Sequence, residues 1–285
     1  MIIDCHTHVF PSRMRQDRET LCEKEEGFSS IYRNPKARMA DVEELIRSMD
    51  ECGVDQSVIC GFPWTHPDRC ALHNDYLLKS RSLYPGRLIV FLSLPFGDPE
   101  GSRTTLEEGL KAGAKGVGEV AFYDHAMEDQ DIASMKPVLS LMEERRVPLL
   151  LHTNETLGHP YPGKGRTPLE RIYKFVVSFP RLAIVLAHWG GGLPFYELMP
   201  EVAKAMAHVY YDTAASPFLY SRRVYEIVCR IAGPERILFG SDFPLISPRR
   251  YFEELKESHL TEEETASILG RNFSAMIGLE RPAHP

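Results

Sequence analysis

Eight short apolar runs alternate with eight longer amphipathic stretches along these 285 residues, and no other feature limits the fold as tightly. Strands are expected at 2–9, 56–62, 88–94, 116–122, 148–153, 183–188, 209–213 and 236–242. Helical patterns fall between and after them, at 39–52, 72–83, 103–112, 133–145, 168–178, 194–205, 221–231 and 248–259. Strand–helix–strand units cross over right-handed, which makes the sheet parallel. Eight such units predict an α/β chain closed into a (β/α)8 TIM barrel, one domain over 1–285, with every strand C-terminus opening on one face. A doubly wound open sheet is the competing architecture, but it would not bring so many strand ends together. Extra helices are expected after Thr261-Glu262-Glu263-Glu264, where Thr261 can cap, and they are expected to pack outside the main body. Two long segments, 11–38 and 154–166, read as non-regular cover over the barrel mouth.

The balance of residues bounds the partners. A hydrophobic share of 43% and a charged share of 26% fit a soluble globular protein. A formal charge of −7 gives no support to a nucleic-acid ligand, which would favour a basic surface. Six scattered cysteines without a Cys-x-x-Cys read as reduced thiols of a cytoplasmic protein. No stretch approaches the roughly 18 apolar residues of a membrane span, so no membrane partner is expected. A homodimer is the default assembly.

The polar residues that end the strands carry the chemistry. His6 and His8 follow an apolar run, and residues two apart on a strand share a face. Imidazole pairs suit zinc, iron, nickel or copper rather than magnesium or calcium. Glu119 ends strand four, His152 strand five, His188 strand six and Asp242 strand eight. One buried histidine is usually a satisfied core residue. Six such groups at the ends of five strands instead point to a cation.

The residues His6-Thr7-His8, Leu151-His152, Leu186-Ala187-His188-Trp189-Gly190-Gly191 and Leu238-Phe239-Gly240-Ser241-Asp242-Phe243-Pro244 resemble the amidohydrolase superfamily of metal-dependent barrel hydrolases. The likeness is to its amidohydrolase-related branch (amidohydrolase 2), which includes aminocarboxymuconate-semialdehyde decarboxylase and related decarboxylases. That resemblance implies His6, His8 and Asp242 as metal ligands, with His152 as the ligand from strand five. His188 would hold a second ion or polarise the bond being broken, and Glu119 matches a strand-four carboxylate that binds or bridges metals. One or two divalent ions are implied, zinc first, with manganese, iron or nickel as alternatives. Gly190-Gly191-Gly192 lacks the lysine and hydroxyl of a phosphate loop and reads as a tight turn beneath the metal.

A divalent ion lowers the pKa of bound water to about 7. Asp242 is placed to take and pass on the proton, and His188 to stabilise an oxyanion. The expected reaction is hydrolysis of an ester, lactone or amide in a small, carboxylated substrate. Arg13 is a candidate carboxylate clamp, together with the other arginines of its segment and Lys164 and Arg166. Trp64, Tyr123 and His159 are candidate pocket residues. The first alternative is non-oxidative decarboxylation of an aromatic or enoic acid on the same centre. Several decarboxylases of the branch carry Glu-x-His where this chain has His6-Thr7-His8, which weighs toward hydrolysis. A TatD-type phosphodiesterase and a non-catalytic metal-binding protein are the remaining alternatives.

Overall fold

A computed structural model describes residues 1–279. Eight strands form in sequence order: β1 (Ile3–His8), β2 (Gln56–Cys60), β3 (Leu88–Leu92), β4 (Gly116–Val120), β5 (Leu149–Leu151), β6 (Ile184–Leu186), β7 (Val209–Asp212) and β8 (Ile237–Leu238). Each pairs in parallel with the next. The ring closes where Cys5 N–H donates to Phe239 O at 2.8 Å and His8 N–H to Phe243 O at 2.7 Å. This is the (β/α)8 barrel that the alternation predicts.

Two apolar layers hold it. Ile3, Cys5, Val58, Phe91, Leu150, Val185 and Leu238 form one buried cluster, and residues from strands so far apart can meet only across the barrel axis. Val117, Leu149, Leu151, Ile184, Leu186 and Phe239 pack the outer layer with residues such as Leu45, Leu77, Leu139 and Phe175 from the surrounding helices. Helix ends carry local signals. Helix Val42–Cys52 starts on an Asp41/Glu44 capping box and stops at Gly53, which supplies the left-handed cap with φ 73°.

Two expectations need correction. Segment 11–38 is not irregular: it folds into the short helices Ser12–Gln16, Arg18–Lys24 and Glu26–Tyr32. Its charges mask a buried set, Met14, Leu21, Cys22, Phe28 and Tyr32, which joins Phe10, Phe62 and Trp64 in an aromatic cluster. The turns near Asp17 and Glu25 break the period that would reveal one helix. Segment 154–166 has no helix or strand, as expected. The second correction concerns the C-terminal helices. Thr261 does cap Glu262–Ala266. Helix Asn272–Met276, however, does not lie outside the body, because Phe273 is buried in the interior cluster against Phe91 and closes the lower end of the barrel. The Asn272 side-chain amide anchors it by donating to Pro234 O at 2.7 Å and Ile237 O at 2.8 Å.

His73 ties the upper rim together. Its Nε2–H donates to Val9 O at 2.8 Å, and its Nδ1 accepts from Trp64 Nε1–H at 3.0 Å and Phe62 N–H at 3.3 Å. Only the neutral ring can do both, and burial pushes its pKa down to about 4. The unfolded chain therefore binds one proton more than the folded chain between pH 6.5 and 4. Stability from this group is complete above pH 6.5 and is lost as pH falls, by roughly 3 kcal/mol at the acid end. His73→Phe is expected to be less stable than wild type at pH 7, with the gap shrinking by that amount toward pH 4. Urea unfolding at both pH values measures it, and a gap unchanged with pH refutes the assignment.

Candidate metal centre

Two bulges aim the central side chains. On β1 the pairing with β2 slips between Asp4 and Thr7. Ile3 and Cys5 face the axis below the slip, and His6 and His8 face it above. A regular strand would have turned both histidines outward with Asp4. On β4 the same slip lies between Val117 and Val120, both in the outer layer, and turns Glu119 inward. Gly118 makes this bulge affordable: its φ is +150°, and a Cβ there would come within 2.6 Å of the Leu150 Cβ.

Left-handed backbone delivers two further groups. His188 and Trp189 both have φ 56°, and Asp242 has φ 59°. Such conformations are costly for residues other than glycine and persist where the surroundings impose them. Gly191 follows because its Cβ would sit 2.4 Å from Asn154 O. The glycine run is therefore a tight turn, as the sequence suggests.

The polar groups converge. His6 Nε2 and His8 Nε2 lie 3.0 Å apart. Glu119 reaches both, with Oε1 3.7 Å from His6 Nε2 and Oε2 3.6 Å from His8 Nε2. Asp242 Oδ1 is 3.5 Å from His8 Nε2 and 3.9 Å from His6 Nε2. On the other side of Glu119, its Oε1 lies 3.0 Å from His152 Nδ1 and 3.7 Å from His188 Nε2. Two potential ligand triads, His6–His8–Glu119 and Glu119–His152–His188, thus share one carboxylate.

Electrostatics and hydrogen bonding fit a cation. Burial acts to lower the His6 pKa, but Glu119 and Asp212 overcome it and hold His6 well above its ordinary value. Burial, reinforced by His6, pushes His8 down to about 3. Glu119 stays ionised, well below the usual carboxylate range, because His6 and His152 outweigh its burial. Burial raises Asp242. His8 Nδ1 and His152 Nε2 are buried without partners. Two imidazole nitrogens 3.0 Å apart beside an ionised carboxylate match ligands at roughly 2.1 Å around one ion.

Not every sequence candidate arrives here. Tyr123 does, with its hydroxyl 3.4 Å from His152 Nδ1. Trp64 is buried, stacks on Phe28 with centroids 5.3 Å apart, and lines a cavity of about 250 Å³ that reaches Glu119 between the ends of β3 and β4. Arg13 points away, 79% exposed and paired with Asp17. Arg15 is spent on Asp41 and Glu44. His159 is exposed, with its ring near Tyr161. Arg13 and Arg15 therefore form no clamp at the centre. Two residues escaped the sequence reading. Tyr32 ends a cover helix, and its phenol is pushed up by burial and then by the nearby charges of Asp242 and Glu119. Asp212 ends β7 and accepts from His6 Nδ1–H at 2.8 Å. The signal used elsewhere, a polar residue closing an apolar strand, was available for Asp212 in Tyr210-Tyr211-Asp212.

A closed barrel with imidazoles and carboxylates gathered at its C-terminal mouth defines a metal-dependent barrel enzyme. The chain belongs to the amidohydrolase family, whose sequence model matches residues 3–279. It is 25% identical to 6-methylsalicylic acid decarboxylase of Penicillium expansum, over 85% of this chain and 84% of that one. It is 22% identical to gamma-resorcylate decarboxylase of Polaromonas sp. (strain JS666 / ATCC BAA-500), over 86% and 90%. Among solved structures, 5-carboxyvanillate decarboxylase of Novosphingobium aromaticivorans, complexed with manganese and 4-hydroxy-3-methoxy-5-nitrobenzoic acid, superposes with a TM-score of 0.79 at 16% identity, over 98% of this chain and 96% of that one. These relatives overturn hydrolysis as the expected reaction. The ligand pattern encodes the cation, and the same cation centre serves either bond cleavage, so His6-Thr7-His8 was no guide to the reaction.

Proposed function

We propose that the protein is a metal-dependent, non-oxidative decarboxylase of a small aromatic carboxylic acid. The observation that carries this reading is the pair of curated relatives, both aromatic-acid decarboxylases aligned over most of their length with this chain. The geometry supports it through Asp242, a carboxyl whose pKa burial raises, 17% exposed at the mouth beside the imidazoles.

His6, His8, Glu119 and Asp242, with His152 and His188 around Glu119, would hold a divalent cation, Mn2+ or Zn2+. Bound there, the ion supplies Lewis acidity toward the substrate's oxygens. The bond from ring carbon to carboxyl breaks, and its electron pair stays on the ring. Asp242 delivers a proton to that carbon, carbon dioxide departs, and solvent reprotonates Asp242. Tyr32 and Tyr123 line the space above the centre, and the cover helices with Phe10, Phe28 and Phe62 keep water away from the ring carbon. An aromatic enclosure suits a flat ring.

The test is incubation of the Mn2+-loaded chain with 6-methylsalicylate, 2,6-dihydroxybenzoate and 5-carboxyvanillate in D2O. At least one acid is expected to release carbon dioxide, with one deuteron entering the vacated ring position. No release from any of them, with cleavage of an aryl ester or lactone instead, refutes the reading.

A further inference from the structure

We infer that Asp212 is the positioning residue of the centre, setting the ligand nitrogens of His6 and His188 together through its two carboxylate oxygens. The inference uses the metal centre proposed above and does not depend on which reaction that centre performs.

The geometry is specific. Asp212 lies at the end of β7 and is fully buried, as is His6. Its Oδ2 accepts from His6 Nδ1–H at 2.8 Å. Its Oδ1 accepts from two backbone groups, His188 N–H at 2.8 Å and Ala214 N–H at 3.0 Å. Ala214 returns the contact, because its carbonyl accepts from His188 Nδ1–H at 3.0 Å. One carboxylate therefore acts on His6 directly and on His188 twice, through its backbone and through the peptide that receives its ring proton.

A histidine with its proton kept on Nδ1 presents a bare Nε2 lone pair. Both rings keep a proton on Nδ1 here, so a cation that displaces the Nε2 proton would meet both lone pairs, and both Nε2 atoms face Glu119, each 3.7 Å from its Oε1. His188 also sits in left-handed backbone at φ 56°, a conformation that needs outside support. The bond from its N–H to Asp212 Oδ1 supplies part of that support. No other carboxylate among the described residues bonds to both histidines in this way.

The test uses Asp212→Asn in the full chain. The amide keeps the shape and one acceptor, but an NH2 directed at His6 Nδ1 would force the ring proton onto Nε2 and remove the lone pair. Mn2+ affinity, read by competition with a chromogenic chelator, is expected to weaken by roughly 10- to 100-fold. Far-UV circular dichroism is expected to be unchanged. An affinity within threefold of wild type overturns the proposal even if thermal stability drops, since that is the signature of a merely structural residue. Should the variant fail to fold, the wild-type chain decides the matter. Loaded with diamagnetic Zn2+, it should show Nδ1–H imidazole signals for both His6 and His188 in long-range 1H–15N spectra. A missing Nδ1–H at either ring refutes the inference.

Discussion

Asp242→Asn is expected to lower kcat for decarboxylation by roughly 10²- to 10⁴-fold, the usual worth of a positioned general acid. Asparagine is the informative replacement because it occupies left-handed backbone more readily than other side chains, and Asp242 holds φ 59°. Fold and backbone bonds, including Asp242 N–H to His6 O at 2.9 Å, should therefore survive. An amide can still offer an oxygen to a cation but has no acidic proton to give. Steady-state rates measured beside circular dichroism check this. A variant within tenfold of wild type would remove Asp242 as the proton source and leave the relatives' chemistry without a donor on this chain.

The second large effect is expected from Glu119→Gln. Glu119 is 5% exposed and is the carboxylate common to both ligand triads, facing His6, His8, His152 and His188. Removing its charge should weaken Mn2+ binding by more than roughly 10²-fold, beyond the effect expected for a residue that only orients a ligand. The metal-free chain should also lose stability, by roughly 3–5 kcal/mol, because a buried, charged His6 loses one of its ionic partners and keeps Asp212 at 2.8 Å and the more distant Asp242 at 3.9 Å. Chelator competition and urea unfolding of the metal-free chain measure the two losses separately. Unaltered affinity would show that the cation is held without Glu119, and the shared-carboxylate geometry would lose its meaning.

Parts of the site were legible for a simple reason. Each of His6, His8, His152, His188 and Asp242 closes an apolar run, and a parallel barrel brings all such closures to one mouth. Arg13 and His159 were misplaced because long-segment side chains obey no such rule. Arg13 can reach solvent and Asp17 at little cost, whereas a strand-end histidine has nowhere else to point. The cover segment hid its helices because Met14, Leu21, Phe28 and Tyr32 are divided among three short turns, each too brief to display a period. Trp64 was legible as a candidate pocket residue, but its bond to His73, nine residues on, depends on how helix Pro67–Leu83 leans against β3.

Periodicity and strand-end chemistry were sufficient to establish the barrel, the mouth on which the site opens and the residue types gathered there, because both are local properties of consecutive residues. The reaction could not be read this way, since hydrolysis and decarboxylation ask for the same cation and the same ligands. Three-dimensional packing decided the rest. The bulges that turn His6, His8 and Glu119 inward depend on slippage between neighbouring strands. The grip of Asp212 on His6 joins positions 206 residues apart. Phe273 seals the barrel floor only because the chain's last described helix returns beneath its first strand. Contacts made across such separations leave no periodic trace in a sequence.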